Sequence, residues 1–211
     1  ASYIFGESST LEWDPRNNQH IFLGRGTNLL KTEDNGLTYS VVHAFEDKVM
    51  SVELSRADLN YIYVTTYESW WGDKKIWKTQ DNGVSWTEIT PPTALLNGDL
   101  WVPFDIAVSA NDENVVWAAR TSQYGSTNLN GRMVFKSTDG GSTWGNYTSN
   151  SLNGEVITNI EHQKGTAGGV YIGTRRAVYY RNNSMTEWDL FNNNLPLSST
   201  STKLVVKYKD G

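Results

Sequence analysis

Aromatic and acidic residues gather in three polar, loop-like segments of this 211-residue chain, at 67–73, 91–103 and 123–128. Flat rings beside carboxylates and amides suit a sugar ligand, because the C–H face of a pyranose stacks on a ring while its hydroxyls form directed hydrogen bonds. The predicted ligand-binding residues are Trp70, Trp71, Asp73, Asp99, Trp101 and Tyr124. A second interpretation stays open, in which Trp70 or Trp101 only fills the base of its own loop.

Arginines form a second candidate group. Arg25, Arg120 and Arg175 each end or follow an apolar run, and Arg176 comes next in the chain. Together they could hold an anionic group through paired hydrogen bonds from the guanidinium. The alternative is that they are solvated strand ends that pair with Glu46 or Asp47.

Three carboxylates recur at one position of an internal repeat. Glu12, Glu53 and Glu161 each stand between apolar neighbours, and Ala107 takes this position in the remaining copy. Carboxylates brought to one level could line a wet channel, raise one another's pKa or share a cation. A purely structural role inherited with the repeat is the competing interpretation.

Composition excludes several classes of function. The net charge is −5 and the basic residues are scattered, which argues against a nucleic-acid partner. No window approaches the ~20 apolar residues of a membrane span, so no membrane insertion is expected. The chain has no cysteine, and its three histidines show no ligand-like spacing. We therefore predict no metal site, no cofactor and no catalytic residue of these types.

Three octets of similar sequence, here called the box turns, organise the chain: 32–39, 79–86 and 137–144. In each, a hydroxyl and a carboxylate two residues apart can accept hydrogen bonds from a tight turn, and a glycine supplies the positive φ. A fourth, decayed copy spans 181–188. The predicted structural residues are Thr32, Asp34, Gly36, Tyr39, Thr79, Asp81, Gly83, Trp86, Ser137, Asp139, Gly141, Trp144 and Trp188. Their closing aromatics are expected to pack as core between repeats.

The repeats predict an all-β fold. Each copy, with a period of about 45 residues, holds four short β-prone runs, which is typical of a β-propeller blade with strands A to D and the box turn between C and D. We predict one domain of about four blades that is part of a larger propeller. The expected blades lie at about 8–46, 47–92, 103–150 and 155–194, with a further blade starting at 202–211. The B–C and D–A loops, which carry the candidate ligand-binding residues, then share the face opposite the box turns.

The three octets resemble Asp-box motifs, also called bacterial neuraminidase (BNR) repeats, over nearly the whole chain. Segments such as 136–141 and 169–174 look most like the propellers of large secreted bacterial surface proteins, with sortilin-type and xyloglucanase-type repeats more distant. The resemblance implies a secreted or cell-surface location. A sialidase would also carry an Arg-Ile-Pro segment, which this sequence lacks.

The function predicted from these features is a non-catalytic recognition or scaffold propeller that binds carbohydrate at the B–C/D–A loop face. Its expected partners are a polysaccharide or a surface protein, together with further blades or domains of a longer parent chain. One alternative is part of a xyloglucanase- or sialidase-related glycoside hydrolase, with carboxylates drawn from Glu68, Asp73, Asp99 and Asp105. Another is a propeller that binds protein or peptide.

Overall fold

The structure is a computed structural model that describes residues 10–14, 16–17, 19–69, 72–97, 102–121, 131–166, 168–191, 200–201 and 203–207. These residues form sixteen short β-strands, one α-helix of a single turn and one 3₁₀ turn. No helix among them is long and apolar enough to cross a membrane.

The strands form four antiparallel sheets, here called blades 1 to 4, each with four strands in chain order. Blade 1 contains β1 (Leu11–Trp13), β2 (Ile21–Arg25), β3 (Asn28–Thr32) and β4 (Ser40–Ala44). Blade 2 contains β5 (Lys48–Leu54), β6 (Ile62–Tyr67), β7 (Lys74–Thr79) and β8 (Thr87–Glu88). Blade 3 contains β9 (Phe104–Val108), β10 (Val116–Arg120), β11 (Val134–Ser137) and β12 (Gly145–Asn146). Blade 4 contains β13 (Ile157–His162), β14 (Val170–Thr174), β15 (Val178–Arg181) and β16 (Asp189–Leu190).

The predicted fold class is confirmed: within the part of the chain that the structure describes, four four-stranded sheets follow one another and do not close a ring. Strands A to C have the expected length, while strand D is only two residues long in blades 2, 3 and 4. Between blades 2 and 3 the chain forms α1 (Thr93–Leu96), and between blades 3 and 4 it forms the 3₁₀ turn Asn150–Leu152. Leu96 and Leu152 are buried and join these connections to the core.

The core lies between successive blades. Phe22 and Leu29 of blade 1 belong to one buried cluster with Val52 and Val64 of blade 2, and similar clusters join blades 2 and 3 and blades 3 and 4. Every residue of β6 and of β10 is buried, because each of these strands has a sheet on both sides. A blade in the interior of the array therefore depends on both neighbours for its stability.

The segment 203–207, predicted to begin a further blade, does not form a β-strand. Its Leu204 and Val206 nevertheless line an apolar cavity together with Tyr171, Val178 and Phe191 of blade 4. The segment thus lies against the side of blade 4 that points away from blade 3. That it starts a fifth blade stays a prediction.

Candidate functional site

The loop face is the end of the sheets that carries the B–C and D–A loops. Among the predicted ligand-binding residues, Arg25, Asp73, Arg120 and Arg175 are described, and each lies at or beside a strand end on this face. The side chains of Arg25, Asp73 and Arg175 are exposed there. Trp70, Trp71, Asp99, Trp101 and Tyr124 lie outside the described residues, so their role stays a prediction.

A buried lysine supports the B–C loop of blade 2. Lys74 is almost inaccessible, and its Nζ donates to the carbonyl oxygens of Ser69, at 2.8 Å, and of Gly72. Burial lowers the pKa of Lys74, while the carboxylates of Asp73 and Glu68 act in the opposite direction. The ammonium thereby holds both sides of the hairpin that contains Trp70 and Trp71 in sequence.

An arginine supports the neighbouring D–A connection in the same way. The Nη1 of Arg132 donates to the carbonyl oxygens of Ala94, at 2.8 Å, and Leu95, at 2.6 Å. These carbonyls belong to α1, directly before the segment that contains Asp99 and Trp101 in sequence. Because charged donors make strong hydrogen bonds, two adjacent loops of this face are anchored to the blades.

Arg120 differs from the expectation for the arginine group. Its side chain is only 1% exposed, and its Nη1 donates to the Arg132 carbonyl at 3.2 Å. It therefore supports the interior of blade 3 and does not offer its guanidinium to solvent beside Arg25 and Arg175. Asp47, one of the two carboxylates in the alternative interpretation, pairs instead with Lys75 at 3.4 Å.

The box turns on the opposite face have the hydrogen bonds that their sequence predicts. In the first, Thr32 Oγ1 accepts from the Gly36 N–H at 2.8 Å, while Asp34 accepts from the Thr38 N–H at 2.9 Å and from the Thr38 hydroxyl at 2.6 Å. The turns at 79–86 and 137–144 repeat this pattern. Hydrogen bonds from hydroxyl and backbone donors lower the pKa of each box aspartate, Asp34, Asp81 and Asp139, to about 2. The three aspartates are therefore structural anions of their turns.

The decayed fourth turn is organised by a different residue. Asn182 Oδ1 accepts from the Ser184 N–H at 2.9 Å and the Ser184 hydroxyl at 2.7 Å. Asn183, which occupies the aspartate position of the octet, instead accepts from Lys136 Nζ of blade 3 at 2.6 Å. In this octet, which lacks the first hydroxyl and the glycine, Asn182 thus accepts the hydrogen bonds that the box aspartate accepts in the other turns.

Three of the four closing aromatics pack on the preceding blade, as expected. Trp86 contacts Phe45, with ring centroids 5.0 Å apart, and Trp144 donates its Nε1–H to the Ile89 carbonyl at 2.7 Å. Trp188 is buried and donates to the Tyr147 carbonyl at 3.0 Å. Tyr39 differs, since it is 50% exposed. The reason is its position in blade 1, which has no preceding sheet among the described residues.

The inner strands bring four carboxylates within electrostatic reach of one another. Glu12, Glu53 and Glu161 were expected at one level, and each has a raised pKa, that of Glu161 reaching about 7. Burial is the main cause in each case, and the carboxylates also raise the pKa of one another. The cations that oppose this effect are Arg56 and Lys203.

Asp105 is the fourth member. The sequence suggested it only as a loop-face carboxylate of a hydrolase, whereas the structure buries it among the inner carboxylates. Its Oδ2 accepts from the Ile160 N–H of blade 4 at 3.0 Å, and burial raises its pKa to about 6. It lies on β9 two residues before Ala107, hence on the same side of the strand, and this alternation was the signal that could have found it. The described residues contain no group of three or more His, Asp and Glu side chains placed to hold a metal ion.

His162 is a structural residue of the contact between blades 3 and 4. Its Nδ1 accepts from the Ala110 N–H at 3.3 Å, and its ring stacks on Trp117 with centroids 5.4 Å apart. Burial lowers its pKa to about 4. It is therefore neutral at physiological pH and contributes packing to the interface.

Solved structures with a similar fold identify this architecture. The chain is similar to an ancestral GH74 enzyme, with a TM-score of 0.67 and 16% identity, covering 90% of this chain and 26% of that one. The chain folds as blades of a β-propeller. It is also similar to the GH74 xyloglucanase from Xanthomonas campestris, with a TM-score of 0.65 and 13% identity, covering 86% of this chain and 30% of that one.

A third similar structure is YCF48 bound to D1 peptide, with a TM-score of 0.55 and 16% identity, covering 92% of this chain and 61% of that one. No family model matches the sequence, and a search of curated proteins finds no match. At these identities the propeller neighbours establish the fold alone. The propeller spans about a quarter to a third of the GH74 chains.

Proposed function

We propose that this propeller is a non-catalytic recognition and scaffold unit, of the Asp-box type, in a secreted or cell-surface bacterial protein. In this proposal the loop face binds polysaccharide, and the blades hold its loops in place. The box turns, the blade repeat and the surface-protein resemblance support the scaffold part of this function.

The observation that carries the binding part is the anchoring of two adjacent loops, one by the buried Lys74 and the other by the partly buried Arg132. Lys74 holds the carbonyls of Ser69 and Gly72, and Arg132 holds those of Ala94 and Leu95. A loop that is already ordered loses less conformational entropy when a ligand binds. Trp70, Trp71 and Trp101 follow these anchored carbonyls or lie between them in sequence, and in this proposal their rings stack on the sugar.

The test is a titration of the chain with a panel of neutral and acidic polysaccharides, followed by tryptophan fluorescence. We expect a saturable change with at least one polysaccharide, and we expect it to disappear in the double variant Trp70→Ala/Trp71→Ala. Trp13→Ala is the matched control, because Trp13 is an exposed tryptophan at the end of β1, on the side of blade 1 that lies away from the loop face. A response that is absent with every polysaccharide, or that Trp13→Ala removes equally, would contradict the proposal.

A glycoside hydrolase is the second candidate, favoured by the raised pKa values of Asp105 and Glu161. A carboxyl group that is protonated near neutral pH can serve as a general acid. The similar GH74 enzymes share the fold, which by itself does not transfer an activity. Release of reducing ends from a polysaccharide, lost in Glu161→Gln, would favour this candidate over pure recognition.

Peptide binding is the third candidate, since the similar YCF48 structure holds a D1 peptide. Its discriminating result is a saturable peptide or protein partner for a chain that gives no response to any polysaccharide. Such a partner would leave the proposed scaffold role unchanged, but the ligand of the loop face would be a peptide or protein instead of a polysaccharide.

A further inference from the structure

The B–C turn of blade 4, here called the arginine turn, spans residues 174–177 and carries Arg175 and Arg176 in succession on the loop face. Both side chains are exposed, and neither guanidinium forms a hydrogen bond or an ion pair with another described residue. The guanidinium groups of Arg132 and Arg181, by contrast, donate to backbone carbonyls. Those two arginines support the fold, whereas the two of the arginine turn are left to face solvent.

The backbone of the arginine turn is fixed by hydrogen bonds on both sides. The fully buried Thr174 accepts at Oγ1 from the Arg176 N–H, at 3.1 Å, and from the N–H of the residue after it. The Arg175 N–H donates to the Val156 carbonyl at 3.1 Å, and the Arg175 carbonyl accepts from the Thr200 hydroxyl, also at 3.1 Å. The two guanidinium groups therefore extend from a backbone that a ligand does not have to order.

A buried carboxylate lies next to this turn and does not neutralise it. Glu155, directly before Val156, is 7% exposed, and its Oε1 accepts from the Tyr179 hydroxyl at 3.3 Å. Its Oε2 has no hydrogen-bond partner among the described residues, yet neither arginine donates to it. Burial and Glu155 raise the pKa of Tyr179 while Arg176 opposes this shift, so all three groups are within electrostatic reach of one another. The arginines thus point away from the one carboxylate that their turn offers them.

The arginine turn adjoins a connection of the type that precedes the candidate ligand-binding segment. Glu155 ends a tetrapeptide, Leu-Asn-Gly followed by an acidic residue, that occurs at 96–99 and again at 152–155. The leucine of each copy is fully buried, so each copy joins its D–A connection to the core. The first copy precedes Trp101 in sequence, and the second leads to the arginine turn. Both connections belong to the loop face.

Two adjacent unpaired guanidinium groups are suited to an external anion. Their charges repel one another, and an oxyanion that both can reach relieves this repulsion. The planar fork of donors on each guanidinium matches the two oxygens of a carboxylate or of a sulfate ester. Because the chain as a whole has a net charge of −5, this site must act locally and through direct hydrogen bonds.

We propose that Arg175 and Arg176 form a subsite for an anionic group of the polysaccharide, either the carboxylate of an acidic sugar or a sulfate ester. The loop face would then select acidic over neutral polysaccharides. This inference rests on the proposed function, because it names the class of polysaccharide that the same face binds.

The test compares polymers that differ in charge alone. Polygalacturonate and its methyl ester share one backbone, and only the first has free carboxylates; dextran sulfate and dextran form the equivalent pair for sulfate. Affinities are measured by titration calorimetry for the unmodified chain, for Arg175→Gln/Arg176→Gln and for Arg25→Gln. Arg25 is the matched control, because it is an exposed arginine at the B–C turn of blade 1 and likewise has no ion pair among the described residues.

We expect the unmodified chain to bind the charged member of one pair at least about tenfold more tightly than the neutral member, and that pair identifies the anion. In Arg175→Gln/Arg176→Gln the preference should fall to about twofold or less, with the affinity for the neutral member unchanged. Arg25→Gln should keep the preference. The melting temperature should stay the same in both variants, since the replaced groups make no hydrogen bond among the described residues.

Equal affinity of the unmodified chain for both members of each pair would overturn this inference and leave the proposed polysaccharide binding in place. A preference that persists in Arg175→Gln/Arg176→Gln, or that Arg25→Gln abolishes equally, would overturn it as well, because the general field of the loop face would then be the cause. Absence of binding to every polymer, charged or neutral, would contradict the proposed function and this inference with it.

Discussion

The indole Nε1 of Trp144 donates a hydrogen bond to the carbonyl oxygen of Ile89, 2.7 Å away in the preceding blade. Trp144 closes the box turn of blade 3, while Ile89 directly follows the last strand of blade 2 and belongs to the core between these blades. A local turn motif thus ends in a contact between two repeats. The box turn of blade 3 therefore also helps to hold this blade against blade 2.

We expect Trp144→Ala to lower the free energy of unfolding by about 3–5 kcal/mol, because it removes a large ring from an interface that cannot collapse fully. Trp144→Phe should cost about 1 kcal/mol for the hydrogen bond, in addition to a smaller packing loss. Tyr39→Ala is the matched control: this exposed box aromatic should change stability by less than about 1 kcal/mol. Denaturant titrations of the three variants check the order, and an equal cost for Tyr39→Ala and Trp144→Ala would contradict it.

The box aspartates should make the protein sensitive to acid. Their pKa in the folded state is about 2, below the ordinary value of 3.8, so the stability they contribute is present above about pH 4 and is lost as the pH falls towards 2. We expect the melting temperature to fall over this window and the fall to be smaller in Asp139→Asn. Asp189→Asn, at an exposed aspartate outside the box turns, should leave the profile unchanged. An Asp139→Asn profile parallel to that of the unmodified chain would be inconsistent with this account.

The inner carboxylates, in contrast, should make the protein less stable as the pH rises. Because the folded-state pKa values of Asp105 and Glu161 are raised, to about 6 and about 7, stability falls as the pH rises from about 4 through these values. Glu161→Gln removes one buried charge, so its melting temperature should exceed that of the unmodified chain at pH 8 and approach it at pH 4. Glu46→Gln, at an exposed carboxylate, is the control. A gain that is the same at both pH values would show that Glu161 does not titrate as proposed.

Lys74 should affect ligand binding more than folding. In Lys74→Met the carbonyls of Ser69 and Gly72 lose a charged donor, so amide hydrogen exchange in 68–73 should accelerate. Because the loop must then be ordered on binding, affinity for a responding polysaccharide should fall about three- to tenfold. Lys75→Met is the matched control, since Lys75 points to Asp47 and not to this loop. Accelerated exchange without loss of affinity would show that this loop is not part of the ligand site.

Most of the fold could be predicted from the sequence because it depends on short-range patterns. The hydroxyl, carboxylate and glycine of each box turn lie within five residues of one another, and their hydrogen bonds form inside that segment, as Thr32, Asp34 and Gly36 show. The runs that became β6 and β10 contain consecutive apolar residues, 62–64 and 116–119, instead of a strict alternation, which indicates strands covered on both sides. The repeat of these local units then determined the number of blades.

The candidate site depended on contacts between blades, and only the tertiary structure decided them. Arg120 was grouped with Arg25 because both end the second strand of their repeat, yet the packing of blade 3 buries Arg120. Asp105 joined the inner carboxylates through a hydrogen bond to Ile160, 55 residues away. Tyr39 carries the same motif as Trp144 and is exposed only because no sheet precedes its blade among the described residues. The sequence by itself determined turns, strands and repeat, since these are local, whereas burial and charge at each position depend on which surfaces the neighbouring blades cover.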